Sequence, residues 1–216
     1  MNRRDFTLQV LGSAGLGAVA GVPGLAFAQS GAPVEGTNYV KLSQSAPSNA
    51  PAGKVEVVEF FWYGCPHCYH FEPYLAAWVA KLPPYIEFRR VPVAFRENPF
   101  GVHQKLFYAL EAMGLVGALH AKVFHAYHEE GLKLDQPDLV ADFVAKQGVD
   151  RAKFLQAFNS FGVQTKCRQA RSLAEAYKID GVPTLGIGGR FYTSVGLNGT
   201  PEKTLATTEA LVNKLR

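Results

Sequence analysis

The longest apolar run in the chain is Val55-Glu56-Val57-Val58-Glu59-Phe60-Phe61-Trp62-Tyr63, bounded by Gly53 and Gly64. A β-branched and aromatic run framed by glycines predicts a central strand buried on both faces. The period then changes. Phe71, Leu75, Trp78, Val79 and Leu82 recur at three- and four-residue spacing, which predicts a helix over residues 68–82 that Pro83-Pro84 ends. Pro73 lies inside that pattern and predicts a kink near Phe71–Glu72. Residues 86–95 read as strand again, with Pro92 marking an edge or a bulge.

From residue 99 to 177 the strand pattern all but vanishes. Leu106, Phe107, Leu110 and Met113 form one helical face closed by Gly114, and Leu119, Val123, Phe124 and Tyr127 form another closed by Gly131. Asp135 reads as the N-cap of a third helix, Asp150 as the cap of a fourth, and residues 163–177 as a fifth. Thr184–Ile187, Gly188-Gly189 and residues 190–195 predict a hairpin. Thr200-Pro201 opens a final helix to Arg216. The order is β–α–β, a helical block, then β–β–α. That predicts an α/β thioredoxin fold with an inserted helical domain, with residues 54–98 and 178–216 forming the thioredoxin-like part and 99–177 the insert.

The ends fit an exported protein. Arg3 and Arg4 precede a Gly/Ala/Leu/Val run, and Ala26-Phe27-Ala28 suits a cleavage site, so residues 1–28 read as a signal peptide. Arg3-Arg4-Asp5-Phe6 also resembles a twin-arginine signal, and either route leads to a periplasm. Residues 29–53, rich in Pro, Ser, Gly and Asn, read as a flexible lead-in in which Tyr39–Leu42 could form a short edge strand. Net charge is +4, from 22 basic and 18 acidic residues, too weak to imply nucleic acid.

The candidate chemistry sits where the first strand meets its helix. Of three cysteines, Cys65 and Cys68 form a Cys-x-x-Cys pair and Cys167 is distant. A helix N-terminus presents free N–H groups and a positive dipole end, so a cysteine there ionises readily, and the thiolate is the reactive form. Cys65 reads as the exposed nucleophile and Cys68, one turn in, as the shielded resolving thiol. Pro66 suits the first helical turn, and His67 offers a hydrogen bond or a charge to the Cys65 thiolate.

Other readings are weaker. Zinc sites usually take two close ligand pairs, and only His67 and His70 flank this one. A c-type haem needs a histidine where Tyr69 stands. A structural disulfide over so small a loop would add little stability. No cofactor and no metal are called for.

Glu59 shares a strand face with Val57 and Phe61 and so points inward, where a carboxylate is costly. It reads as a proton acceptor for Cys68, or as an ion-pair partner of Arg90. Val182-Pro183, after Gly181 and before a strand, is a candidate cis peptide facing the pair. Cys167 falls on a core-facing helical stripe with Val163, Ala170 and Ala174. His103, His120, His125 and His128 read as surface or core histidines that no carboxylate or cysteine completes into a metal set.

Glu59-Phe60-Phe61, Cys65-Pro66-His67-Cys68-Tyr69, Phe71-Glu72 and Gly181-Val182-Pro183 together resemble the DsbA-type periplasmic thiol:disulfide oxidoreductases of the thioredoxin superfamily. The resemblance implies disulfide donation from Cys65–Cys68 to newly exported polypeptides, substrate held against Val182 and Pro183, a monomer, and reoxidation by a DsbB-like inner-membrane protein. It implies a stabilised reduced form, which makes the disulfide a strong oxidant. A disulfide isomerase or reductant of the same superfamily and a peptide-binding chaperone are the competing readings.

Overall fold

The computed structural model describes residues 31–96 and 98–216, so the expected signal peptide lies outside the described residues. The lead-in is tied down from Tyr39 onward. β1 (Val40–Lys41) pairs antiparallel with a late strand, and Tyr39, Leu42 and Ala46 are buried. The short edge strand read at Tyr39–Leu42 is therefore present, and the flexible reading does not extend through it.

β2 (Val55–Phe61) is buried at all seven positions. α1 (Pro66–Val79) starts two residues earlier than the apolar stripe suggests, because Pro66 opens the first turn and Cys65 takes the N-cap position. It runs through Pro73 without interruption and stops at Val79, three residues short of the expected end. β3 (Ile86–Pro92) pairs in parallel with β2 and is an edge strand, which is where a proline is tolerated.

The insert holds α2 (Phe100–Ala112), α3 (Val116–His128), α4 (Pro137–Lys146), α5 (Arg151–Phe158) and α6 (Phe161–Ala176). Asp150 caps α5 through the Lys153 N–H at 2.9 Å, as expected. Asp135 does not cap α4: Gln136 takes that position without a side-chain bond, because Pro137 sets the first helical residue. Ser160 caps α6, which begins two residues before the expected start.

β4 (Thr184–Ile187) and β5 (Phe191–Ser194) form the predicted hairpin. A one-turn helix, α7 (Val195–Asn198), follows, and Thr200 caps α8 (Pro201–Leu215) through the Lys203 N–H at 3.2 Å.

The strand order is β1-β5-β4-β2-β3, with β2 second from one edge and its two neighbours separated in sequence by the whole insert. Both faces of the sheet are covered. Val55, Val57, Leu185 and Ile187 pack with Phe71, Leu75, Leu211 and Val212 from α1 and α8. Val58, Phe60 and Tyr63 pack with the insert helices. The mixed α/β sheet with inserted helices is the expected architecture, and its double cover explains why β2 reads as continuous rather than alternating apolar sequence.

Candidate active site

Cys65 sits at the corner between β2 and α1, at the N-cap of the helix, with extended backbone angles. Cys68 lies one turn inside and is fully buried, as the shielded member of the pair should be. Both are free thiols. Cys65 is less open than the sequence implied: it is 7% exposed, because the loop before β4 lies over it. Its Sγ reaches the Val182 carbonyl at 3.4 Å, and the Val182–Pro183 peptide is cis, as expected. Pro66 and His67 face solvent.

The two thiols are pushed in opposite directions. Cys65 falls to about 6, chiefly because Cys68 donates a hydrogen bond to its sulfur; burial opposes this, while the backbone N–H groups of Cys68 and His67 and the His67 charge add to it. Cys68 rises well above the ordinary thiol value, first through burial, then through its bond to Cys65, with the Glu59 charge also contributing. The result is one thiol poised to ionise over one held protonated. Cys167 is half-buried against the insert core, and burial raises it to about 11.

Behind the pair lies a buried polar cluster. Glu59 and Arg90 are register partners on β2 and β3, and Arg90 Nε lies 3.0 Å from Glu59 Oε2. The same guanidinium donates to Glu72 Oε1 on α1 at 2.6 Å. His120 Nε2 on α3 is 3.5 Å from Glu72 Oε2, and His120 Nδ1 lies 2.8 Å from the Tyr63 hydroxyl. Burial lifts Glu59 to about 8 against the pull of Arg90. Burial also works to raise Glu72, but His120 and Arg90 outweigh it and hold its carboxyl below the usual value. Burial lowers His120.

The ion pair of Glu59 with Arg90 is present, and the inward-facing carboxylate is close enough for its charge to act on Cys68. Carboxylates do approach two of the histidines: Glu72 lies by His120, and Glu130 meets His125 at 3.0 Å on the surface. Glu59, Glu72 and His120 offer atoms within 4.8 Å of one another. The Arg90 cation already rests against both carboxylates, so this is an ion-pair cluster and not a ligand set.

Glu72, His120 and Tyr63 carried no role in the sequence reading. The available hint was Glu72 itself, one helical turn beyond Cys68 on the face that also holds Phe71 and Leu75. His103 is buried among the rings of Trp62, Tyr63 and Tyr127 and is pushed down to about 4 by burial, a neutral core histidine.

Comparison with known proteins agrees with this geometry. A family model described as DSBA-like thioredoxin domain matches residues 86–206. The thiol:disulfide interchange protein DsbA of Burkholderia cepacia is 45% identical over 193 residues, covering 89% of this chain and 91% of the relative. That of Pseudomonas aeruginosa is 44% identical over 199 residues, covering 92% and 93%. The crystal structure of Pseudomonas aeruginosa DsbA superposes with a TM-score of 0.80 at 45% identity, over 84% of this chain and 93% of the other. The oxidoreductase DsbA from Xylella fastidiosa superposes with a TM-score of 0.79 at 34% identity, over 85% and 98%. Sequence and overall fold are thus shared over most of the chain with proteins of one kind, and the chain belongs to the DsbA family, the periplasmic thiol:disulfide oxidoreductases of the thioredoxin superfamily.

Proposed function

We propose that the Cys65–Cys68 disulfide is donated to newly exported polypeptides in the periplasm. The observation that carries this reading is the opposed tuning of the two thiols: Cys65 is lowered to about 6 and Cys68 is raised. Whatever favours the Cys65 thiolate favours the dithiol, and so makes the bridged form a stronger oxidant.

A substrate thiolate attacks Cys65 Sγ, the S–S bond breaks, and its electron pair goes to Cys68 Sγ, which takes a proton. Glu59, buried nearby and protonated at neutral pH, is the donor. A second substrate thiolate then attacks the substrate sulfur of the mixed disulfide, and Cys65 leaves as a thiolate. Pro66 and His67 tune that thiolate from the first turn of α1. Val182 and Pro183 hold the substrate backbone over Cys65, in keeping with the Val182 carbonyl at the sulfur. Trp62, stacked on Phe100 at 4.0 Å with exposed Phe95 beside it, gives apolar contact for unfolded chains. A DsbB-like inner-membrane protein withdraws the electrons afterwards, and the oxidoreductase acts as a monomer.

Equilibration with glutathione tests this reading. An oxidant is converted to the dithiol at glutathione ratios that leave an ordinary structural disulfide intact, and Cys65→Ser abolishes disulfide transfer. A disulfide that stays closed under those ratios, or a Cys65→Ser protein that still transfers, refutes it.

A further inference from the structure

Three buried side chains, Glu59, Glu72 and His120, meet behind the cysteine pair and leave polar atoms unpaired. Both carboxyl oxygens of Glu59, Glu72 Oε2 and His120 Nε2 are buried and lack a well-formed hydrogen bond, and the trio lies within 4.8 Å. One fixed cation, Arg90, touches both carboxylates. Charge counting decides how many protons the cluster holds. Two carboxylates and one guanidinium leave one negative charge, which is costly in an interior, and one added proton cancels it. Glu72 is pinned in its ion pair at 2.6 Å, so the proton belongs to Glu59 or to His120.

We propose that His120 is a second seat for the single proton of this cluster, exchanging it with Glu59 so that Glu59 serves Cys68 as acid in one direction and as base in the other. The inference rests on the disulfide-exchange reading above and makes His120 a positioning residue, since it acts only through Glu59. The geometry suits the part. His120 comes from α3, outside the strands and the helix that carry the cysteines. Its Nδ1 is fixed by the Tyr63 hydroxyl, which turns Nε2 toward the carboxylates. The charged and titratable groups that face it are Glu59 from β2, Tyr63 from the following loop, Glu72 from α1 and Arg90 from β3; Phe61, Phe107 and Phe124 close the remaining sides. Atoms within 4.8 Å of one another are within reach of proton transfer through one bridging water.

The balance is complete in the direction that rebuilds the bridge. The proton on Glu59 moves to His120. Glu59, now a carboxylate, takes the proton of Cys68. The Cys68 thiolate attacks Cys65 Sγ in a mixed disulfide, the new S–S bond forms, and the partner sulfur leaves with the electron pair. The proton on His120 is then released to neutralise that departing thiolate.

The test is the rate at which Cys68 displaces glutathione from a Cys65–glutathione mixed disulfide, measured from pH 6 to 9 in the wild type and in His120→Gln. With a second seat, Glu59 is freed without losing its proton to solvent, so the wild-type rate is nearly level between pH 6 and 8. Without one, Glu59 is free only in its ionised fraction. The variant should then be about tenfold slower at pH 7 and converge on wild type at pH 9. Parallel profiles overturn the proposal, because a merely structural histidine shifts the rate equally at every pH. Should the variant not fold, the wild-type profile alone decides: a level rate supports the second seat, and a rate rising tenfold per unit up to pH 8 overturns it. A wild-type protein that never releases glutathione from Cys65 would instead defeat the exchange reading itself.

Discussion

Glu59 and Arg90 stand opposite each other on adjacent parallel strands, and the register of those strands brings their side chains together at 3.0 Å inside the protein. Neither could remain there alone. Arg90→Ala strands two carboxylates in the interior and is expected to cost about 3–5 kcal/mol in urea denaturation. Glu59→Gln, which leaves Arg90 paired with Glu72, should cost much less. Equal losses for the two variants would show that Arg90 does not hold the cluster together.

The raised Glu59 carboxyl sets the sign of a pH effect on stability. Its folded value of about 8 lies above the unfolded one. Its contribution is therefore fully present below about pH 4.5 and is lost as pH rises through 8. Relative to wild type, Glu59→Gln should gain stability as pH is raised from 5 to 8, read as a narrowing and then reversing gap in Tm. A gap constant across that window would mean that Glu59 is ionised throughout.

Cys65 carries the opposite sign. Its folded value of about 6 lies below the unfolded value, so the dithiol gains stability that is present above about pH 9 and lost as pH falls through 6. The melting temperature of the reduced protein, compared with reduced Cys65→Ser, should therefore rise between pH 6 and 9. A difference that stays flat would show that the thiolate is not favoured by folding.

Alkylation gives a direct view of the same group. In the reduced protein a single thiol per chain should react at pH 7, with a midpoint near pH 6, since Cys68 is raised and Cys167 stands at about 11. His67→Ala should move that midpoint up only slightly, because the hydrogen bond from Cys68 and the backbone N–H groups outweigh the His67 charge. A second rapidly labelled cysteine, or a midpoint near 9, would contradict the structure.

Gly189 closes the β4–β5 hairpin at φ +67°, and a Cβ there would come within 2.3 Å of the Ala46 carbonyl oxygen. Gly189→Ala should destabilise by about 1–3 kcal/mol while leaving the Cys65 alkylation midpoint unchanged. A shifted midpoint would mean that the hairpin turn is coupled to the cysteine pair.

What the sequence revealed was local. The glycine-framed run, the Cys-Pro-His-Cys turn, the caps at Asp150 and Thr200 and the Gly188-Gly189 hairpin each depend on a few adjacent residues, so a short window carries them. Asp135 misled because Pro137 fixes the helix start one residue later. That Val182-Pro183 faces the pair was legible, but how closely it buries Cys65 was not, since 117 residues separate the two in the chain. The burial of Glu59 was legible from strand parity, and Arg90 could be named as its partner, but the rest of its company was not. Glu72 and His120 come from a helix and the insert, and only their packing against the strand pair brings them to one place.

The strand order also sets a timetable. β2 and β3 are near in sequence, but β4 pairs with β2 only after the entire helical insert, and β5 completes the edge that β1 supplied at the start. A chain growing from its N-terminus therefore carries an uncovered Cys65 for most of its length. Until residues 182–216 arrive, the most reactive sulfur of the mature protein has neither the Val182 carbonyl above it nor a finished sheet below, and premature pairing with Cys167 or with a neighbouring chain is the hazard that late closure removes.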